Sequence, residues 1–472
     1  MSSLAFGLLA LSIALACSSD HSSKSGGADD NGDAASGGSS QHGSGGSKAT
    51  GAGKGSGGNQ ETSGGRDGGD TSAGNDGGST DGATGDGGSA NGSGGATSTG
   101  SGGAKSSGGA TASGGATSSG PTTAAELAAK IGRDHFIIGM GNDLNNDHDM
   151  DGAYTLGVTM DVHYAYLVGL LGMGGWPDWN SGGTFVNVLT DSAKKHGTVP
   201  MMTLYSMAAK GEANYAVLTD DSYMKPYWDG ALLLFKRLAV FGDPALVQFE
   251  PDWWAYAQQK SGGDATKLAV HVASLAPDCS TLPDNVAGMG KCLVTLARKY
   301  APKTVVGFHV SSWADSDPAK IIAFMKSIGA ADGDFVTTDM LDRDAGCYEA
   351  HTDPNCQRGD TTGWYWDETN KTSPNFHDNQ SWVKTITTGL GKPMFWWQVP
   401  FGVPSTTPGG TASHYRDNRV HYIFSHIDEF IAAGGVGALF GTGAGNQTYI
   451  TTDGDQFKNA VTTYFGSPTA LK

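Results

Sequence analysis

Two carboxylates and two indoles stand together in Phe249-Glu250-Pro251-Asp252-Trp253-Trp254. They follow a short apolar run, 245–249, that reads as a buried strand closed by the proline. A carboxyl group at a sheltered strand end, flanked by aromatic rings, keeps its proton to higher pH because burial disfavours the charged form. Such a group can protonate a leaving oxygen, while a second carboxylate attacks carbon or activates water. Indole faces stack on sugar rings. The segment therefore predicts a site that cleaves glycosidic bonds, with Glu250 as general acid and Trp253 and Trp254 as sugar contacts. The same residues also suit a structural role, an acid capping a helix over two core tryptophans.

Eight short apolar runs must position these groups: 136–140, 162–168, 199–204, 245–249, 304–309, 335–338, 393–398 and 436–440. Between most of them, apolar residues recur at i, i+3 and i+4 over 184–196, 223–241, 285–300, 318–328, 380–389, 414–433 and 455–465. Several of these helical patterns open on recognisable starts, such as Asp317-Pro318 and Asp378-Asn379. Fully apolar strands alternating with helices predict a parallel sheet, and eight of them predict an α/β fold of the (β/α)₈ (TIM) barrel type. Only 141–160 lacks a clear helix where one is due.

A barrel gathers its chemistry at the C-terminal ends of its strands. Those ends carry Tyr205 and Ser206; Glu250 and Asp252; His309, Ser311 and Trp313; Asp339, with Asp342 and Asp344 close behind; Trp396, Trp397 and Gln398; and Thr442 before Asn446 and Gln447. Candidate catalytic carboxylates are Glu250, Asp339, Asp342 and Asp252. Candidate substrate contacts are Tyr205, Trp253, Trp254, His309, Trp313, Trp397 and Gln398. Trp396 and Trp397 point to opposite faces, so one of them belongs to the core. His309 taken alone also fits a hydrogen-bonded core histidine. The Trp364-Tyr365-Trp366 cluster in the insertion after the sixth strand is either a further stacking platform or the lid of a small apolar cluster.

From 136 to 465 the chain resembles the large group of glycoside hydrolases built on (β/α)₈ barrels, in which an acid/base glutamate ends strand four and a nucleophilic glutamate ends strand seven. Glu250 matches the first position. The second is held by Gln398, in Phe395-Trp396-Trp397-Gln398, which removes the double-displacement mechanism from what the resemblance implies. Asp339 or Asp342 becomes the expected partner of Glu250, with Asp252 next. Glu250-Pro251-Asp252 is also similar to a tripeptide of cellulose-cleaving enzymes with a distorted barrel. Gln398 keeps a second reading open, a non-catalytic carbohydrate-binding barrel at the cell surface.

Outside the barrel the composition changes abruptly. Residues 18–120 are almost all Gly, Ser, Ala, Thr, Asp and Asn, without an aromatic residue. Such a tract buries too little apolar surface to offset its chain entropy, which predicts a disordered tether before the barrel at 121–472. The apolar run 4–16, ending in Ala14-Leu15-Ala16-Cys17, has signal-peptide length. It resembles a bacterial lipobox, although no Lys or Arg precedes it and Ala14 stands where leucine is usual. Residues 1–17 are thus expected to be a lipoprotein signal with Cys17 as the lipidated residue. Export follows, with anchoring at a bacterial membrane or, failing lipidation, secretion. Cys279, Cys292, Cys347 and Cys356 allow three pairings, and the local ones, Cys279–Cys292 and Cys347–Cys356, close the shortest loops.

The net charge of −17, without a Lys/Arg cluster, disfavours nucleic acid and disfavours an anionic membrane surface as partner except through a lipid anchor. Neither nucleotide-binding glycine motif occurs, so no nucleotide cofactor is expected. The substrate expected is a neutral polysaccharide or oligosaccharide. Asp143, Asn145 and Asp147 alternate like calcium-loop ligands, but the glycine and glutamate that complete such a loop are missing. No metal is required by the remaining pattern.

Overall fold

The structure is a computed structural model and describes residues 122–472, apart from 142–151, 342, 352, 358–363 and 444–445. Cys17, the tether, the 143–147 acidic loop and Asp342 lie outside the described residues. Among the described residues no helix is long and apolar enough to cross a membrane.

The apolar runs form eight strands: β1 (Ile137–Gly141), β2 (Val162–Val168), β3 (Val199–Tyr205), β4 (Ala245–Phe249), β5 (Thr304–His309), β6 (Phe335–Thr338), β7 (Met394–Val399) and β8 (Gly435–Phe440). Every neighbouring pair is parallel, and β8 pairs with β1 to close the barrel in simple sequence order. Both faces are covered, one by helices and one by the barrel's own interior, which is why these strands are near-continuously apolar instead of alternating.

The principal helices are α1 (Ala124–Lys130), α2 (Phe185–His196), α3 (Asp221–Phe241), α4 (Trp253–Ser261), α5 (Val286–Tyr300), α6 (Pro318–Ser327), α7 (Phe376–Leu390), α8 (Arg419–Ser425), α9 (Ile427–Ala432) and α10 (Gln456–Gly466). Side chains cap several of their N-termini, for instance Asp220 on α3 and Asp317 on α6, each accepting from a backbone N–H at 2.9 Å. Helix α7 starts a turn before the Asp378-Asn379 signal, because Asn375 is the cap and accepts from the Asp378 N–H at 2.8 Å. The single helix expected over 414–433 is instead a two-residue strand, His414–Tyr415, paired with Gly410–Thr411, followed by α8 and α9.

Both local cysteine pairs, Cys279–Cys292 and Cys347–Cys356, are disulfides. At the N-terminal end of the barrel, Asp334 gathers Lys130 at 2.8 Å, Arg298 at 2.9 Å and the Val306 N–H at 2.9 Å. These cations hold its carboxyl below the ordinary range although burial opposes them. This end is braced by charge.

Candidate active site

Strand β4 ends on two carboxylates whose backbones lie in the left-handed region, Glu250 at φ 42° and Asp252 at φ 64°. L-residues rarely adopt that conformation, and it redirects both side chains relative to a straight strand. Glu250 is folded beneath the β3 loop. One of its oxygens accepts the Ser206 N–H at 3.3 Å and the other the Met207 N–H at 2.9 Å. The Tyr227 hydroxyl of α3 also lies near the carboxyl. Burial pushes the Glu250 pKa up to about 8, against the pull of these donors. The carboxyl thus has the sheltered, acid-retaining character expected of it, but the residue is 0 % exposed and offers no surface to a ligand at the mouth.

Trp253 and Trp254 are each 1 % exposed, in the first turn of α4. The Trp254 N–H donates to the Phe249 carbonyl at 2.8 Å, and the two rings pack edge to face at 4.8 Å. They are core residues, and the expected sugar-contact role does not fit them. Pro251 and the backbone turn bring them under the barrel wall, a displacement that strand-end position alone does not reveal.

Asp252 takes the place at the mouth. Its side chain is 40 % exposed, with Oδ1 at 3.9 Å from His309 Nε2 and 3.4 Å from the Ser311 hydroxyl. His309 is held from behind. Thr203 donates to the Gln248 Oε1 at 3.1 Å, which leaves the Gln248 amide N–H groups for Thr337 at 2.8 Å and His309 Nδ1 at 3.3 Å. This network assigns Nδ1 as an acceptor, so Nε2 carries the hydrogen and faces Asp252. Among the described residues Nε2 itself has no hydrogen-bond partner. Burial drives the His309 pKa down to about 4, while the charge of Asp339, at the end of β6, pulls it upward. The imidazole is neutral at ordinary pH and lies within the field of both aspartates.

Aromatic rings pack beside them. The Trp397 ring lies 5.4 Å from His309, 5.8 Å from Tyr166 and 6.0 Å from Tyr164, and Tyr166 meets Tyr205 at 5.7 Å. The Trp397 indole N–H is buried without a partner among the described residues. Trp396 faces the other way, donating to Asn379 at 2.9 Å and packing on Phe430 at 4.7 Å. Gly441 makes room for Tyr164, since a Cβ there would come within 1.9 Å of the tyrosine hydroxyl. Gln398, at φ 56°, spends its amide on the Thr442 carbonyl at 3.3 Å and so ties β7 to the chain after β8. Trp313 is 36 % exposed, edge-on to Tyr256 at 4.9 Å.

One carboxyl of the site has no sequence signal. Glu212 lies in the loop after β3, away from any strand end, and accepts a hydrogen bond from the Tyr205 hydroxyl. Burial, then the charges of Asp252 and Glu250, push its pKa well above the ordinary value, and the Tyr205 donor opposes them. Asp344 is not at the mouth. It is fully buried, accepting from the Gly402 and Thr448 N–H groups at 2.8 and 3.0 Å. In the 364–366 cluster Trp364 packs on Tyr348 at 4.6 Å over a small core with Cys347, Cys356 and Tyr415, Tyr365 lies under the Arg416 guanidinium at 4.1 Å, and Trp366 joins the main core against Phe376 at 5.1 Å.

No protein-family model matches the chain, and no curated protein matches it in sequence. Among solved structures it is similar to the GH26 domain of an endo-β-mannanase/endo-β-glucanase from Prevotella bryantii, at 11% identity and a TM-score of 0.39 over 72% of this chain and 94% of that one. A Group IV chitinase from Ostrinia furnacalis matches at 9% identity and a TM-score of 0.41, over 71% of this chain and 100% of that one. A D-allulose 3-epimerase from a Methylomonas species matches at 11% identity and a TM-score of 0.36, over 71% and 98% respectively. Function must be argued from the site itself, since one fold serves many chemistries.

Proposed function

We propose that the barrel is a glycoside hydrolase acting on a neutral oligosaccharide or polysaccharide, with Asp252 and Asp339 as the working carboxyl pair. The observation that carries this reading is that two aspartates, from the ends of β4 and β6, act on one buried neutral imidazole at the barrel mouth. Glycoside hydrolysis requires two carboxyl groups across the scissile bond, one to protonate the leaving oxygen and one to stabilise or activate the group that replaces it. Asp252 serves as proton donor and Asp339 as base for the attacking water. His309 and Trp397 form the buried wall behind Asp252 and set the environment in which it acts. Glu250 supports the site from behind by fixing the Ser206–Met207 backbone that follows Tyr205.

The test is reducing-sugar release from a panel of neutral polysaccharides. Asp252→Asn and Asp339→Asn should each lower turnover by about 10² to 10⁴ while leaving the melting transition in place. Full turnover in either variant removes that residue from the mechanism. A second reading, a carbohydrate-binding barrel without catalysis, is favoured by Gln398 at the end of β7. It predicts retarded migration in gels containing polysaccharide, with no sugar released.

We also propose that the barrel is held at a bacterial membrane by a lipidated Cys17 and the 18–120 tether. Two acyl chains hold a protein stably at a bilayer, where one holds it marginally. Cys17→Ser should move the protein from the membrane fraction to the supernatant with its activity intact. Wild-type protein found wholly in the supernatant removes the anchor.

A further inference from the structure

His135 lies in the short link between α1 and β1, and both of its ring nitrogens face carboxylate oxygens. Nδ1 stands 3.0 Å from Asp134 Oδ1, and Nε2 stands 3.1 Å from each oxygen of Asp161. Asp161, just before β2, also accepts from Arg133 Nε at 2.7 Å and from the Ile138 N–H of β1 at 3.0 Å. An ionised carboxylate only accepts hydrogen bonds, and a neutral imidazole carries one N–H, so a neutral His135 can satisfy one of these two neighbours and not both. The imidazolium satisfies both. The contact is sheltered, with the His135 side chain 15 % exposed and that of Asp161 6 %. The last segment of the chain docks at the same place. After α10 it returns as a strap, 467–472, antiparallel to 134–136. The Phe136 N–H donates to the Thr469 carbonyl and the Leu471 N–H to the Asp134 carbonyl, both at 2.9 Å, with His135 opposite Ala470. The Tyr464 and Phe465 rings of α10 meet the imidazole edge-on at 6.3 and 6.2 Å, and the Tyr464 hydroxyl donates to the Phe136 carbonyl at 2.5 Å. The charged and titratable groups around His135 are therefore Asp134 of its own segment, Asp161, Arg133 acting through Asp161, and Tyr464 of α10. The strap brings Thr469, Ala470 and Leu471 beside it, and none of these titrates.

We propose that His135 is a proton-dependent latch: as an imidazolium it fastens the link before β1, and with it the C-terminal strap, to Asp161, and on losing its proton it lets the strap loosen. The latch is independent of the glycosidase reading. When the proton leaves, one ring nitrogen presents a lone pair to a carboxylate oxygen about 3 Å away, and an attraction becomes a repulsion. Asp161 keeps Arg133 and the Ile138 N–H and stays in place. Asp134, whose side chain is 96 % exposed, is the partner free to turn to water. Its carbonyl is the acceptor for Leu471, so a shift of this residue disturbs the strap directly. The carboxylates, Asp161 first, hold the His135 pKa above the ordinary imidazole value although burial opposes them. A folded-state pKa raised in this way contributes stability that is fully present below the unfolded value and is lost as pH rises through the folded one. The strap is thus fastened in acid and loosened in alkali, in the range where only histidine ordinarily titrates.

The test is amide hydrogen exchange of the full-length protein from about pH 5.5 to about pH 9, a range that brackets ordinary histidine titration. Rates are corrected for the chemical pH dependence and read on peptides from the strap, with α5 as the internal reference for global opening. Strap protection in the wild type should fall by at least about threefold more than that of α5 as the pH rises. His135→Gln, uncharged at every pH, should leave the strap loosened throughout, with no pH dependence beyond that of α5. Asp134→Asn replaces one acceptor by a side chain that can donate to Nδ1, so a neutral ring then satisfies both neighbours. In that variant the strap should stay fastened at alkaline pH. NMR of protein labelled with ¹⁵N at histidine, with the resonance identified by its loss in His135→Gln, should show a His135 midpoint above the ordinary value of about 6.5. If His135→Gln does not fold, the resonance is identified by its displacement in Asp134→Asn. A midpoint at or below the ordinary value overturns the proposal. A strap whose protection follows α5 at every pH in the wild type overturns it as well.

Discussion

The side-chain amide of Gln248 stands 3.3 Å from Nδ1 of His309 and orients the imidazole toward the mouth of the barrel. Because the other amide bonds of Gln248 go to Thr203 and Thr337, one glutamine joins β3, β4, β5 and β6 across the barrel interior. The network is a device for fixing a neutral histidine, and it makes the first prediction.

Gln248→Leu should destabilise the fold by about 1–3 kcal/mol, because Thr203 and Thr337 lose a buried partner while the volume is kept. His309 would lose one of two contacts on Nδ1, keeping the Thr337 hydroxyl at 3.1 Å, so its ring should become less firmly held and activity should fall further than the lost stability explains. Denaturant melts and initial rates at a temperature well below the transition separate the two effects.

Stability should fall as pH rises from about 5 to about 8. Glu250 and Asp344 both have folded-state pKa values raised to about 8 by burial, with Asp417 adding its charge in the second case. In that window the folded protein holds protons that the unfolded chain has already released, so their contribution is fully present below the unfolded pKa and is lost as pH rises through the folded one. Each group contributes a slope of up to about 1.4 kcal/mol per pH unit. His309, lowered to about 4, works in the opposite sense between about 6.5 and 4, where the unfolded chain takes up a proton and the folded one does not. Glu250→Gln should flatten the decline between pH 5 and 8. An unchanged slope in that variant means Glu250 is ionised throughout.

Asp334→Ala should cost about 1–3 kcal/mol, chiefly because it leaves the buried Val306 N–H of β5 without an acceptor, while Lys130 turns to solvent and Arg298 keeps the Thr304 and Asp332 carbonyls. The loss should appear in the melting temperature without a change in the pH optimum, because this carboxylate lies at the end of the barrel opposite the site.

Reduction should lower stability through both disulfides. Cys279–Cys292 spans 13 residues and Cys347–Cys356 spans 9, so each constrains the unfolded chain by roughly 2–3 kcal/mol. Paired serine substitutions at each bridge, melted against wild type with and without reductant, measure the two contributions separately. A melting temperature indifferent to reductant would show that the bridges are absent from the purified protein.

The sequence by itself determined the barrel. Strands β2, β4, β5 and β6 begin and end where their apolar runs do, because a strand buried on both faces must be apolar for its whole length and stops where polarity returns. It also determined the ring of polar and aromatic strand ends, and that Trp396 and Trp397 face opposite ways, since alternation along a strand is a local property. The tertiary structure alone decided which carboxyl groups reach the mouth. Glu250 and Asp252 are two residues apart and would share a face on a regular strand, yet positive φ angles at both send one beneath the β3 loop and the other to the surface. Nothing in residue type announces those angles, which are held by contacts from Ser206, Met207 and Ser311. Trp253 and Trp254 were drawn into the core by the same turn. Glu212 was invisible for the complementary reason: its place is set by a hydrogen bond to Tyr205 across an irregular loop, and loops carry no periodicity from which a side chain's direction can be read.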